Sequence, residues 1–224
     1  MILSPPFLSN LLVMETFSRL RGVEKLLETM CKGVPIVAET KLRELEEQSL
    51  REGWERHLHF AMRSKIEGDF RIWIETFTSY STIILLYSTL ETQFNGLARE
   101  LNVRPGKYID ETAVNLRRAI SVDVTTDAAW SQLIDLRKLR NIIVHSGGVR
   151  DESNRGKIDA LVNNYSPRLR TRSPASEEYL SGQPDELVWV SVDLCQDFAK
   201  AIDGFFERVF KASRLPNRHC QLEG

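Results

Sequence analysis

Long stretches of this chain carry apolar residues at helical spacing, and only one short stretch reads as a strand. That imbalance is what most constrains the fold. Between Arg71 and Leu101, Phe77, Tyr80, Ile84, Tyr87, Phe94 and Leu101 form one stripe, widened by Ile83, Leu86, Leu90 and Leu97. Residues three and four apart share a helical face, so the pattern predicts a long helix with a broad buried side. Residues 7–30 predict another, through Leu8, Leu11, Leu12, Phe17, Leu20, Val23, Leu26 and Leu27. Gly33 and Pro35 are expected to end it, and a charge-dense helix, rich in pairs three or four apart, is expected from Ala38.

Shorter helices are expected over "IDETAVNLRRAI" and within "RDESNRGKIDALVNNY". A longer one is expected over "DLCQDFAKAIDGFFERVFKA", with Asp193 and Gln196 at capping-box spacing and Phe198, Ile202, Phe205, Phe206, Val209 and Phe210 facing a core. The strand is "LVWVSV" (Leu187 to Val192), β-branched and aromatic, able to pair with "RLRTR" as a hairpin. The predicted class is mainly α: an antiparallel helical bundle with a small β-hairpin insert before the last helix. The expected organisation is an N-terminal helical extension over 1–35, a helical domain over 36–212 and a C-terminal tail over 213–224.

With 224 residues, 42% of them hydrophobic, the chain can build a sizeable core. Its formal net charge of -1 gives no global signature of a nucleic-acid binder, so any such contact must come from a local basic patch. Cys31, Cys195 and Cys220 have no disulfide or zinc spacing. His57 and His59 diverge on a helix with no further ligand in evidence, so no metal site and no cofactor are assigned. The apolar start lacks a basic leader and is interrupted by Pro5 and Pro6, which argues against a signal peptide. The longest apolar run, "TIILLY", is far too short for a membrane span, and a cytoplasmic setting is expected.

The segment "LRKLRNIIVHSGG" (Leu136 to Gly148) concentrates the functional signal. From about Ala128 to His145, Trp130, Leu133, Ile134, Leu136, Leu139, Ile142, Ile143 and Val144 point almost all the way round one helix, which Gly147 and Gly148 end. Asp123 to Asp127, with two threonines, supplies its cap. A helix apolar on nearly every side is buried on nearly every side. One face can meet the core, and the other needs more of the chain or a second subunit. Arg137, Asn141 and His145 fall on one line, each four apart, and Arg140 projects between Leu133 and Leu136.

Burying an arginine costs several kcal/mol unless it is paired or meets an anion. Glu91, inside the apolar arc of the long helix, is an expected partner for Arg140 or Arg137. Two readings stand on the residues alone. In one, these groups form a satisfied salt bridge and His145 caps a helix end. In the other, they line a pocket that binds phosphate and moves protons.

"RNIIVH" (Arg140 to His145) resembles the Arg-x4–6-His signature of the HEPN domain superfamily, in which Asn, His or Asp commonly follows the arginine. The preceding "YSTLETQFNGLARELN" resembles that family's long helix before the motif helix. The resemblance covers roughly residues 40–212. The N-terminal helix and the Ser166–Val192 insert lie outside what the family pattern requires.

The resemblance implies a metal-independent endoribonuclease, frequent in toxin–antitoxin and antiviral defence systems. It implies a homodimer whose Arg/His motifs face one cleft, with RNA as substrate and a cognate antitoxin or defence partner as a further contact. Arg140, His145 and Asn141 would then be catalytic, with Glu91 and Arg137 in support. Histidine's ordinary titration range lies near neutrality, which suits His145 as base or acid. Arg140 offers a planar fork to two phosphate oxygens.

Arg168, Arg170 and Arg172 alternate along the first strand of the predicted hairpin. They form either a solvated edge or an RNA-backbone contact. The rivals to the nuclease are a non-catalytic HEPN-like module that binds a partner protein or nucleotide, and a scaffold or sensor subunit whose apolar faces are plain interfaces.

Overall fold

A computed structural model of the chain describes residues 5–68, 74–120, 123–172 and 186–213. Within them the protein is mainly helical, with one small antiparallel sheet, as the periodicity predicts. The order is α1 (Pro5–Glu52), α2 (Arg56–Gly68), α3 (Glu75–Glu100), α4 (Ile109–Ile120), α5 (Trp130–Ser146), β1 (Val149–Arg150), α6 (Arg155–Tyr165), β2 (Leu169–Arg172), β3 (Glu186–Val190) and α7 (Val192–Ser213). A short 3-10 turn, Val124–Thr126, precedes α5. Of the expected tail over 213–224, residue 213 ends α7, and residues 214–224 and the centre of the 166–192 insert lie outside the described residues.

The chain divides into two compact units that share its long helices. The first comprises residues 1–21, 86–134 and 198–224. Its core is aromatic. Phe94 stands 5.7 Å from Phe205 and 6.1 Å from Trp130, centroid to centroid, and Phe205 continues through Phe206 to Phe210 at 5.5 Å per step. Phe17 of α1 meets Phe210 edge-on at 6.2 Å. Edge-to-face aromatic pairs add attraction to the area they bury. The Thr16 hydroxyl is buried 2.8 Å from Gln93 Oε1, so α1 contributes both apolar and polar contacts to this core.

The expected break at Gly33 and Pro35 is absent: α1 is one helix from Pro5 to Glu52, and the predicted boundary between 35 and 36 falls inside it. An interior proline removes one N–H and costs about 3 kcal/mol, which a long helix with tertiary anchors can absorb. The buried Leu20, Leu27 and Leu45 are such anchors, before and after the proline.

The second unit comprises residues 22–85 and 135–197 and holds the sheet, in the order β1-β3-β2. β2 and β3 pair antiparallel as predicted, with Arg170 opposite Trp189 and Arg172 opposite Leu187. β1 adds a third strand that the periodicity does not predict, with Val149 opposite Leu187. Leu169, Val188 and Val190 are buried, while Trp189 and Leu187, alternating with them, are half-buried.

Two local expectations change, at Phe77 and at the cap of α7, while the cap expected from Asp123 to Asp127 comes from Asp127. Phe77, placed in the core stripe of α3, is 55% exposed. Asp123 caps the 3-10 turn, accepting from the Thr125 N–H, while Asp127 accepts from the Ala129 N–H at the entry to α5. Ser191, rather than Asp193, caps α7 by accepting from the Leu194 N–H at 3.2 Å. Among the described residues, no helix is long and apolar enough to cross a membrane.

Candidate functional site

The motif residues lie on the last turns of α5, which runs from Trp130 to Ser146. Arg137, Arg140, Asn141 and His145 all belong to the second unit. Arg140 is half-buried, and its guanidinium donates to Asn141 Oδ1 at 3.0 Å. Asn141 is half-buried too, whereas His145 is exposed in the final turn. The motif end thus carries an exposed imidazole and a half-buried guanidinium held by an amide. The Asn141 amide oxygen gives the cation a direction, and the imidazole is open to solvent.

The apolar residues of α5 behave differently from the expectation. Leu133, Leu136, Leu139, Ile142 and Ile143 are all buried by this one chain. Of the set expected to need a second subunit, Val144, next to His145, is left 45% exposed. The apolar excess of the helix is therefore mostly absorbed within the protomer, and an excess of uncovered apolar surface no longer requires a dimer.

Two polar anchors that periodicity does not mark hold this helix, one in its first half and one at its end. Asp135 is buried and accepts from the Tyr165 hydroxyl at 3.1 Å, from Asn164 at 3.4 Å and from Lys138 at 2.8 Å. Burial, and then the Asp135 charge, push the Tyr165 hydroxyl above its ordinary range, so it stays a donor. Asn154 is the second anchor. Its amide nitrogen donates to the Ser146 hydroxyl at 3.1 Å and to the Val149 carbonyl at 2.8 Å, and its oxygen accepts from the Asp151 N–H at 2.9 Å. It thus ties the end of α5 to the start of β1, on either side of Gly147 and Gly148. Both residues act through other elements, which is why no local pattern reveals them.

Glu91 is half-buried on α3 and belongs to the first unit. Its carboxylate accepts from the Tyr87 hydroxyl at 3.5 Å, the long end of the hydrogen-bond range.

The three arginines of the hairpin separate. Arg168 precedes β2 and forms an ion pair with Asp197. Arg170 and Arg172 instead lie over the Trp189 ring, 4.3 and 4.6 Å from its centre. A guanidinium at this distance is attracted to the ring face and keeps its in-plane N–H groups for other acceptors. Comparison with known proteins finds no matching family model, no matching curated protein and no matching solved structure.

Proposed function

We propose that this chain is a metal-independent endoribonuclease of HEPN type. It acts in the cytoplasm, as a homodimer, in a microbial defence or toxin–antitoxin system. The observation that carries the reading is the motif end of α5: Arg140 oriented by Asn141 at 3.0 Å, and His145 exposed in the turn before a glycine stop. In this reading one imidazole takes the proton of a ribose 2′-hydroxyl. The freed oxygen attacks the adjacent phosphorus, the bond to the 5′-oxygen breaks, and a protonated imidazole supplies the leaving oxygen with its proton. The products are a 2′,3′-cyclic phosphate and a free 5′-hydroxyl. Arg140 stabilises the charge on the pentavalent phosphorus, where a planar fork matches two oxygens. Each motif has one histidine, so two subunits supply acid and base together.

Purified protein incubated with total RNA in EDTA, beside the His145→Ala variant, tests this. Cleavage by the wild type alone supports it. Equal cleavage by both proteins marks a contaminant and removes the reading. A non-catalytic module that binds a partner protein or nucleotide is the second reading. It is favoured by the burial of the α5 apolar residues within one chain, which weakens the case for a shared cleft.

A further inference from the structure

The outer face of the sheet carries two arginines that form no ion pair with any described carboxylate. Around it, Arg150 engages both Asp159 and Glu186, at 2.8 and 2.7 Å, and Arg168 engages Asp197. Those three carboxylates are each engaged by one of these two arginines. Arg170 and Arg172 make no ion pair with any described residue and lie on Trp189 instead. Strand pairing puts Arg170, Arg172, Trp189 and Leu187 on one face, and Leu169, Val188 and Val190, which are buried, on the other. The result is a local basic patch on a chain whose net charge is only -1.

The patch sits at the motif end of α5. The Val188 N–H donates to the Gly148 carbonyl at 2.9 Å, so β3 runs alongside the glycine stop itself. Trp189 is the next residue on β3. His145 and this face belong to the same unit.

We infer that the Arg170–Trp189–Arg172 face is a clamp for the phosphate backbone of single-stranded RNA, feeding the motif end of α5. The identity of the ligand rests on the nuclease reading; the cationic face does not. Trp189 holds the two guanidinium planes, and their N–H edges take phosphate oxygens. Backbone contacts of this kind bind without reading sequence.

Binding of a labelled oligouridylate to the cleavage-blocked His145→Ala protein tests the clamp. Adding Arg170→Gln and Arg172→Gln removes both charges while keeping much of each aliphatic stem. Circular dichroism checks that the fold is kept, and the single Arg170→Gln variant, altered only at an exposed position, serves if the pair fails to fold. The double change should weaken binding about tenfold at low salt. It should also lower the slope of log affinity against log salt by about 1.4, roughly 0.7 for each phosphate no longer neutralised. RNA should change the tryptophan emission, and Trp189→Phe should remove that change. In protein with an intact His145, the double change should raise KM and leave kcat.

Unchanged affinity and slope in a folded double variant would overturn the clamp, and cleavage by the wild type would still support the nuclease. Absence of RNA binding by the His145→Ala protein would overturn it as well. Clamp-dependent binding with no cleavage by the wild type would support the clamp and remove the nuclease reading.

Discussion

The Tyr80 hydroxyl donates to the Val188 carbonyl at 2.6 Å, and the same hydroxyl stands where a Cβ on Gly148 would have to go, 1.9 Å away. One tyrosine therefore braces the middle strand and fills the space beside the stop that ends the motif helix. Burial pushes its hydroxyl above the ordinary tyrosine range, so it remains a donor. Gly148 also has φ +80, a backbone region that disfavours side chains. Gly148→Ala should cost at least about 1–3 kcal/mol from backbone strain alone, read by thermal or urea unfolding. Tyr80→Phe should cost about 1–3 kcal/mol by orphaning the Val188 carbonyl. The double variant should lose less than the sum, because removing the hydroxyl relieves part of the overlap. Additive losses would show that the two residues do not share one space.

Asn154 gives a sharper test of the helix end, since it spans the glycine stop with bonds to Ser146 and Val149. Asn154→Ala should destabilise the protein by about 1–3 kcal/mol, because it removes a buried side chain whose bonds tie two elements. In an active nuclease it should also lower kcat while the folded protein still binds RNA, since it acts on where His145 stands. A variant with unchanged hydrogen exchange around residues 146–149 would rule out that bracing role.

Asp127 and Arg208 make a two-point pair, with Nε to Oδ2 at 2.6 Å and Nη2 to Oδ1 at 2.7 Å. The Arg208 guanidinium, and to a lesser extent the Ala129 N–H, hold the Asp127 carboxyl below its ordinary value against the opposing effect of burial. A depressed folded-state value contributes stability above the unfolded value, and that stability is lost as pH falls through the folded one. Asp127→Asn keeps a side chain able to accept from Ala129 but removes the charge. At neutral pH it should lower Tm by about 2–4 °C, the response to a small loss in a chain of this size. The gap should close below the ordinary carboxylate range. Arg208 is half-exposed, so added salt should also shrink it. A gap that persists at low pH would place the loss in the cap rather than the charge.

Helix positions were largely legible because 3.6-residue periodicity is a local signal, and α3, α5 and α7 carry it strongly. Phe77 shows the limit of that signal: it lies near enough to the α3 stripe to look buried, but what packs against a helix decides where the stripe ends. Pro35 shows another limit, since a local penalty is overridden by distant anchors at Leu20, Leu27 and Leu45. β1 spans only Val149 and Arg150, too short for alternation to register. Of the candidate site, the seam of Arg137, Asn141 and His145 follows from spacing. The supports at Asp135 and Asn154 do not, because their partners come from other elements. The stacking of Arg170 and Arg172 on Trp189 needs the strand register, which a hairpin of unknown turn leaves undetermined.

The catalytic reading makes the last prediction. If His145 moves protons, His145→Ala removes acid and base together in the dimer and should reduce RNA cleavage by at least roughly 10²–10⁴-fold, the usual worth of one general acid or base. It should leave unfolding behaviour close to that of the wild type, because His145 is exposed. Arg140→Lys should also fail, by a different route. An ammonium keeps the charge but offers one point rather than a planar fork, and it cannot reproduce the geometry fixed by Asn141 Oδ1 at 3.0 Å. Asn141→Ala should fall between the two, loosening Arg140 without removing it. Mixing wild-type protein with His145→Ala protein separates a shared cleft from two independent ones. If acid and base are the histidines of two subunits, a heterodimer has one imidazole where two are needed. Activity in the mixture should then fall below the share of wild-type chains. Activity in proportion to that share, in a mixture shown to contain heterodimers by pull-down through a tag on one variant, would mean that each motif works within its own chain. The two-subunit division of acid and base would then be wrong.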